Sequence, residues 1–139
     1  MDSYNLSRFI EAQENSYSTA LAEIRNGRKR THWMWFIFPQ IKGLGNTQIS
    51  VKYSIADINE AISYLNHPVL GDRLREISRE LLRLKDKTAL EIFGSPDDKK
   101  LKSCMTLFSI VSQEPIFLQV LEKYFDSEQD ERTLAILGR

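Results

Sequence analysis

The chain has 139 residues, of which 42% are hydrophobic, and its 19 Lys and Arg side chains balance its 19 Asp and Glu side chains. This length suits one domain with one ordinary hydrophobic core, so we expect a single domain over residues 1–139. Balanced charge excludes an overall field that would attract nucleic acid or an anionic membrane. Recognition by charge must therefore come from local clusters of residues.

The residue inventory also limits the covalent and metal chemistry that the chain can perform. Cys104 is the single cysteine, which excludes an intramolecular disulfide, and two histidines leave little material for a zinc site. The amino-terminal residues lack the pattern of a signal peptide, and no apolar run approaches the ~18 residues that span a bilayer. We expect a cytoplasmic protein without a metal or a cofactor, and the sequence predicts no particular oligomeric state.

The first element is predicted to be one long amphipathic helix over about residues 5–27. Apolar positions recur there at spacings of three and four, at Leu6, Phe9, Ile10, Tyr17, Ala20, Leu21 and Ile24. Gln13 interrupts this stripe with an amide. That amide either finds hydrogen-bond partners inside the fold or faces a cavity.

The next stretch joins the cations Arg28, Lys29 and Arg30 to a run of large apolar residues from Trp33 to Phe38. A run that is apolar on every side predicts a segment at the centre of the core, with the cations at its rim. We interpret it as a short helix over residues 32–38 that is capped by Thr31, and a strand is the alternative. Deleting the Trp35 side chain is then expected to cost about 3–5 kcal/mol.

The rest of the chain is typical of a series of helices. Residues 39–48 form a loop long enough to line a pocket, and residues 50–55 form a helical turn. Capping residues, prolines and apolar stripes then predict helices from Ile58 to His67, from Pro68 to Leu84, from a Thr88 capping box to Gly94, from a Ser95 cap through Val111, over residues 115–125, and over residues 131–137 after an Asp130 cap. The fold class is all-α, with about seven helices.

Three blocks of the sequence, residues 28–40, 67–74 and 92–108, resemble a bacterial family of uncharacterised all-helical proteins. It is a domain of unknown function that is often labelled "calpastatin". The resemblance covers nearly the whole chain and implies an orthogonal helical bundle with no established activity. Thr31 and Cys104 stand where serine is usual in that family, so the resemblance assigns neither residue as a nucleophile. For Cys104, a position in an apolar stripe predicts an inert core thiol.

A candidate ligand site lies at the start of the aromatic segment. Free helix amides, Arg28, Lys29, Arg30, Thr31 and His32 favour a negative group there, and Trp33 or Trp35 offers a face for a planar group. The alternative is that the cations complement the end of the first helix and pair with surface acids. Further candidate binding residues are Gln13, Gln40, Lys100 and Ser103.

Acid or base chemistry requires that distant residues converge. His32 and His67 are candidate acids or bases, and Asp97, which is predicted to face inward, could orient either one. His67 could equally cap or pack at a helix junction. Lys100 and Ser103, three residues apart, could be an activator and a nucleophile or a plain solvated edge.

These patterns predict a protein that binds a small anionic, phosphate-bearing or nucleotide-like ligand, and they leave open whether it transforms that ligand. A protein-interaction adaptor without catalytic activity is the alternative, and it requires an exposed apolar patch. The balanced charge disfavours nucleic acid as a partner.

Overall fold

The computed structural model describes residues 4–139, and ten helices account for the regular structure in this part of the chain. The amino-terminal residues 1–3, which enter the signal-peptide prediction, lie outside the described residues. The helices are α1 (Ser7–Glu14), α2 (Tyr17–Arg25), α3 (Met34–Ile37), α4 (Gln48–Lys52), α5 (Ile58–Asn66), α6 (Leu70–Arg83), α7 (Ala89–Phe93), α8 (Asp97–Val111), α9 (Pro115–Phe125) and α10 (Glu131–Ile136). The all-α prediction is confirmed, whereas the expected number of about seven helices is too low.

The predicted first helix is divided into α1 and α2. The division falls at Asn15 and Ser16, where the Ser16 amide donates to the Gln13 carbonyl oxygen in a tight turn. Asn and Ser compete with helical backbone bonds through their own side chains, which makes this a weak point in the stripe. The predicted end is confirmed, since Gly27 adopts φ +76° just after α2.

The aromatic segment is helical, as predicted, but α3 has only four residues and differs from the prediction in two ways. Thr31 does not cap it: Trp33 occupies the cap position, and no side chain there accepts a capping bond. The segment is also not buried on every side. Trp33 and Phe38 are buried against Phe93, whereas Trp35 and Phe36 are partly exposed.

Several predicted boundaries of the later helices are confirmed and others move. The Thr88 capping box and the Asp130 cap are present. Pro68 and Pro96, however, precede α6 and α8 and do not occupy their first positions, and Ser95 does not cap α8. The predicted turn over residues 50–55 is α4, which begins earlier and is capped by Thr47.

Helix α8 is central to the packing, because it contacts α5, α7, α9 and α10. Its buried face includes Leu101, Phe108 and the fully buried thiol of Cys104, as predicted. Helix α6 packs against α2, α5 and α9, and its approach to α5 requires a glycine. A Cβ atom on Gly71 would lie 2.0 Å from the Leu65 carbonyl oxygen. No helix in the described residues has the length and apolar character needed to cross a membrane.

Candidate functional site

The backbone that leads into the aromatic segment already binds a carboxylate, that of Glu23. Its Oε1 accepts from the amides of Arg30 (2.8 Å) and Thr31 (3.1 Å) and from the Trp33 indole N–H (2.9 Å), while its Oε2 accepts from the Thr31 hydroxyl (2.7 Å). Burial of this carboxylate opposes its ionisation, but these hydrogen bonds outweigh burial and lower the pKa of Glu23 to about 2. The backbone amides at which the sequence predicts a ligand anion thus bind the Glu23 side chain of the protein itself.

The three cations before the aromatic segment do not act as one group. Arg28 and Arg30 are exposed. Lys29 turns inward: its side chain is 9% exposed, its backbone amide donates to the Ile92 carbonyl oxygen, and its Nζ lies 3.0 Å from Asp97 Oδ2. Lys29 is therefore the cation of this run that the fold brings to the start of α8.

Asp97 joins two lysines, and each lysine lies over an indole ring. The Lys100 Nζ donates to Asp97 Oδ1 (3.0 Å) and lies 4.0 Å from the centre of a Trp35 ring, while the Lys29 Nζ lies 5.1 Å from the centre of a Trp33 ring. Burial opposes ionisation of Asp97, but hydrogen bonds from Lys29 and Lys100 lower its pKa. The prediction that Asp97 faces inward agrees with this geometry, although its partners are lysines.

Two cavities of similar size meet at Trp35 and Lys100, which line both. The first, here called the Gln40 cavity, has a volume of about 280 Å³ and is also lined by Gln40, Lys99, Ser103 and Arg132. The second, here called the His32 cavity, has a volume of about 310 Å³ and is also lined by Lys29, His32, Trp33 and Asp97. Each is at the lower end of the range for small-molecule pockets. The two cavities, which share the Trp35 and Lys100 side chains as walls, are together called the cleft.

Positive charge predominates along this cleft. The Gln40 cavity carries three cations, Lys99, Lys100 and Arg132, against one acid, Asp130. The Asp130 carboxylate is engaged as the cap of α10, where it accepts from the amide and the hydroxyl of Thr133. The cleft can therefore attract an anion, and the partly exposed Trp35 ring can contact a planar group.

Two predicted residues lie elsewhere. Gln13 is a satisfied buried amide that donates to the Phe36 carbonyl oxygen and the Tyr64 hydroxyl and accepts from Arg73, and it lines neither cavity. His67 also lines neither cavity. Its Nδ1 accepts from the amides of Val69 and Leu70 at the start of α6. Gln13 is thus the satisfied buried amide, and His67 the residue that caps a helix junction, that the sequence analysis gave as alternatives to a role in a site.

The remaining candidates reach the cleft without forming a catalytic arrangement in this conformation. His32 shares its cavity with Asp97, but both Asp97 oxygens are bound by lysines. The Ser103 hydroxyl donates to the Lys99 carbonyl oxygen (3.2 Å), and Lys100 is paired with Asp97. Among residues 4–139, no group of three or more His, Cys, Asp and Glu side chains could hold a metal ion.

Sequence reasoning missed three residues of this region, namely Glu23, Lys99 and Arg132. Glu23 lies beside Ile24 and three residues after Ala20, so its position in the apolar stripe was a usable signal. No local pattern marks Arg132, which reaches the loop after α3 and donates to the Leu44 carbonyl oxygen. That loop lines the Gln40 cavity through Leu44, as predicted from its length.

Comparison with known proteins gives relatives of unknown function. A family model described as "Protein of unknown function (DUF1810)" matches residues 3–137. Among solved structures, the crystal structure of the conserved hypothetical protein Rv1873 from Mycobacterium tuberculosis is similar, with a TM-score of 0.97 and 43% sequence identity over 99% of each chain. No curated protein matches. Neither description names an activity, a ligand or the calpastatin label.

Proposed function

Because the chain belongs to the DUF1810 family, which supplies no activity to carry over, we propose from the geometry of the cleft that this protein binds a small, phosphate-bearing, nucleotide-like molecule. The observation that carries the proposal is the pair formed by Trp35 and Lys100. These two residues line both cavities, so an aromatic ring and a cation lie at the same point.

The phosphate is expected beside Lys99, Lys100 and Arg132 in the Gln40 cavity. Lys29 and Lys100 already share Asp97, which neutralises part of their charge. Lys99 is exposed at the cavity, Arg132 donates to a backbone carbonyl oxygen, and neither forms an ion pair within residues 4–139, so both can hydrogen-bond an incoming anion. This assignment moves the anion away from Arg28 and Arg30.

The planar group is expected on Trp35. Trp35 is partly exposed at the cleft and the Lys100 Nζ lies over one of its rings, so the base is expected on the ring surface that Lys100 leaves open. Stacking of a base on an aromatic side chain is worth about 1–3 kcal/mol. A base on Trp35 and a phosphate at Lys99 would belong to one molecule of nucleotide size. The proposal concerns binding. Asp97 is paired with two lysines and His67 accepts from backbone amides, so neither residue is placed to orient His32, which lines the His32 cavity.

Calorimetric titration with AMP, GMP, CMP and UMP tests this proposal. We expect at least one of them to bind wild-type protein, and Lys99→Ala to weaken it about tenfold, which corresponds to loss of one charge-assisted hydrogen bond. Arg28→Ala is the matched control, because it removes an exposed cation that lines neither cavity. Its binding is expected to equal that of wild type.

Two results would contradict the proposal. The first is the absence of binding by all four nucleotides. The second is equal weakening by Lys99→Ala and Arg28→Ala, which would reveal a general response to surface charge. Either result would favour the adaptor alternative.

A further inference from the structure

Gln40 is the most unusual polar residue of the cleft. The residue is only 7% exposed, and its Nε2 has no hydrogen-bond partner among residues 4–139. Buried side-chain amides in folded proteins nearly always have partners, because an unpaired donor loses its bonds to water without replacement. Gln40 is also one of the residues that line the Gln40 cavity, so the unpaired donor on its side chain calls for an explanation.

The backbone on either side of Gln40 is held in place by hydrogen bonds to Ile55. The Gln40 carbonyl oxygen accepts from the Ile55 amide (2.8 Å), and the Lys42 amide donates to the Ile55 carbonyl oxygen (2.8 Å). These bonds belong to the isolated parallel bridge between Ile41 and Ile55. The backbone at Gln40 is thus ordered before any ligand arrives, which lowers the ordering cost of binding. The Nε2 atom itself is shielded in the free protein, so pairing it with a ligand requires a rotation of the Gln40 side chain.

The surroundings of Gln40 indicate what it would bind. Gln40 and Trp35 line the Gln40 cavity together, and they also line a smaller neighbouring cavity that reaches the loop at Gly45. A planar group stacked on Trp35 would present its edge to this side of the cleft. An edge that carries a carbonyl oxygen or an unprotonated ring nitrogen would supply the acceptor that Nε2 lacks.

We propose that Gln40 is the specificity-determining residue of the cleft and that its amide reads the edge of a nucleobase stacked on Trp35. This inference rests on the proposed function and deepens it by naming the base as the group that is recognised. A glutamine amide can pair with two adjacent groups on a base edge, as it does with adenine. A site built to hydrogen-bond such an edge discriminates against a ligand that lacks it, because the buried amide then stays unpaired.

The test replaces Gln40 with methionine, which keeps the length and removes the amide. Wild-type protein is expected to bind at least one of AMP, GMP, CMP and UMP about tenfold more tightly than ribose 5-phosphate, which has the phosphate and no base. Gln40→Met should remove about tenfold of the nucleotide affinity, the scale of one buried hydrogen bond to a ligand, and leave ribose 5-phosphate binding unchanged. Gln119→Met, on an exposed face of α9, is the matched control and should bind both ligands like wild type.

A second measurement uses no ligand. If Nε2 is unpaired in the free protein, replacing the amide with an apolar group of similar length should leave Tm unchanged or raise it. A clear fall in Tm for Gln40→Met would show that the amide is satisfied within the fold, and it would overturn the inference.

The binding results separate this inference from the proposed function. Equal nucleotide binding by wild type and Gln40→Met would overturn the role of Gln40 and leave nucleotide binding in place. Equal binding of ribose 5-phosphate and the nucleotides by wild type would leave a phosphate site and overturn base recognition. No binding of any of these ligands would overturn both proposals.

Discussion

At the scale of single residues, Glu23 organises the connection between α2 and α3. Its carboxylate accepts hydrogen bonds from two backbone amides, one hydroxyl and one indole N–H. These donors explain why the segment between Gly27 and Met34 is ordered without regular structure. The hydrogen bonds also occupy the backbone amides of Arg30 and Thr31, where the sequence predicts a ligand anion.

The effect of Glu23 on stability should depend on pH. We expect Glu23→Gln to lower the free energy of unfolding at pH 7 by about 1.5–3 kcal/mol, the scale of hydrogen bonds to a charged group. Folding lowers the pKa from 4.5 to about 2, so this contribution is complete above pH 4.5 and is lost as the pH falls toward 2. Denaturant titrations of both proteins from pH 7 to pH 2.5 measure it. A difference between them that is as large at pH 2.5 as at pH 7 would contradict this account.

At the scale of elements, the aromatic segment has one face in the core and one face at the cleft. Trp33 is 2% exposed, contacts Phe38 and Phe93, and donates to Glu23. Trp35 is partly exposed and lies beneath the Lys100 Nζ. We therefore expect the stability cost that the sequence predicts for Trp35 to apply to Trp33.

Alanine substitutions should separate the two tryptophans. We expect Trp33→Ala to lower the free energy of unfolding by about 3–5 kcal/mol, and Trp35→Ala by only about 1–2 kcal/mol, because part of the Trp35 surface is already in water. Nucleotide binding should change in the opposite sense, with Trp35→Ala losing the stacking contribution. Chemical denaturation followed by circular dichroism provides the stabilities. A larger cost for Trp35→Ala would place the wrong tryptophan in the core.

At the scale of the whole molecule, one hydrophobic cluster connects most of the chain. Every helix except α4 and α10 supplies buried side chains to it, and α3 joins it through Met34 and Ile37. The helices around α8 therefore cannot separate without exposing a shared core. Such an arrangement favours cooperative unfolding.

We expect a single unfolding transition. Tryptophan fluorescence reports the region of α3, since Trp33 and Trp35 are the two tryptophans of the chain, while far-ultraviolet circular dichroism reports all the helices. The two signals should give the same midpoint in denaturant, because α3 and the other helices share one core. Separate midpoints would indicate that the α3 region unfolds independently of the helices around α8.

The sequence by itself determined the all-α class, most of the later helices, and the caps at Thr88 and Asp130. These features depend on periodicity and on bonds between residues three or four apart, which a linear reading detects. The sequence also predicted Lys29, Trp35 and Lys100 as candidate binding residues, and the fold brings these three side chains to one cavity. It also predicted Gln40 as a candidate binding residue, but it could not show that the amide of Gln40 is unpaired.

Only the tertiary structure decided which groups meet across the fold. It paired Lys29 with Asp97 and placed Arg132 beside the loop after α3. It also placed the Glu23 carboxylate where it accepts hydrogen bonds from the backbone amides before α3. It also separated His67 and Gln13 from the cleft by satisfying both within the fold. The physical reason is that each of these contacts joins different elements, so it depends on how the helices pack and has no signature in local spacing.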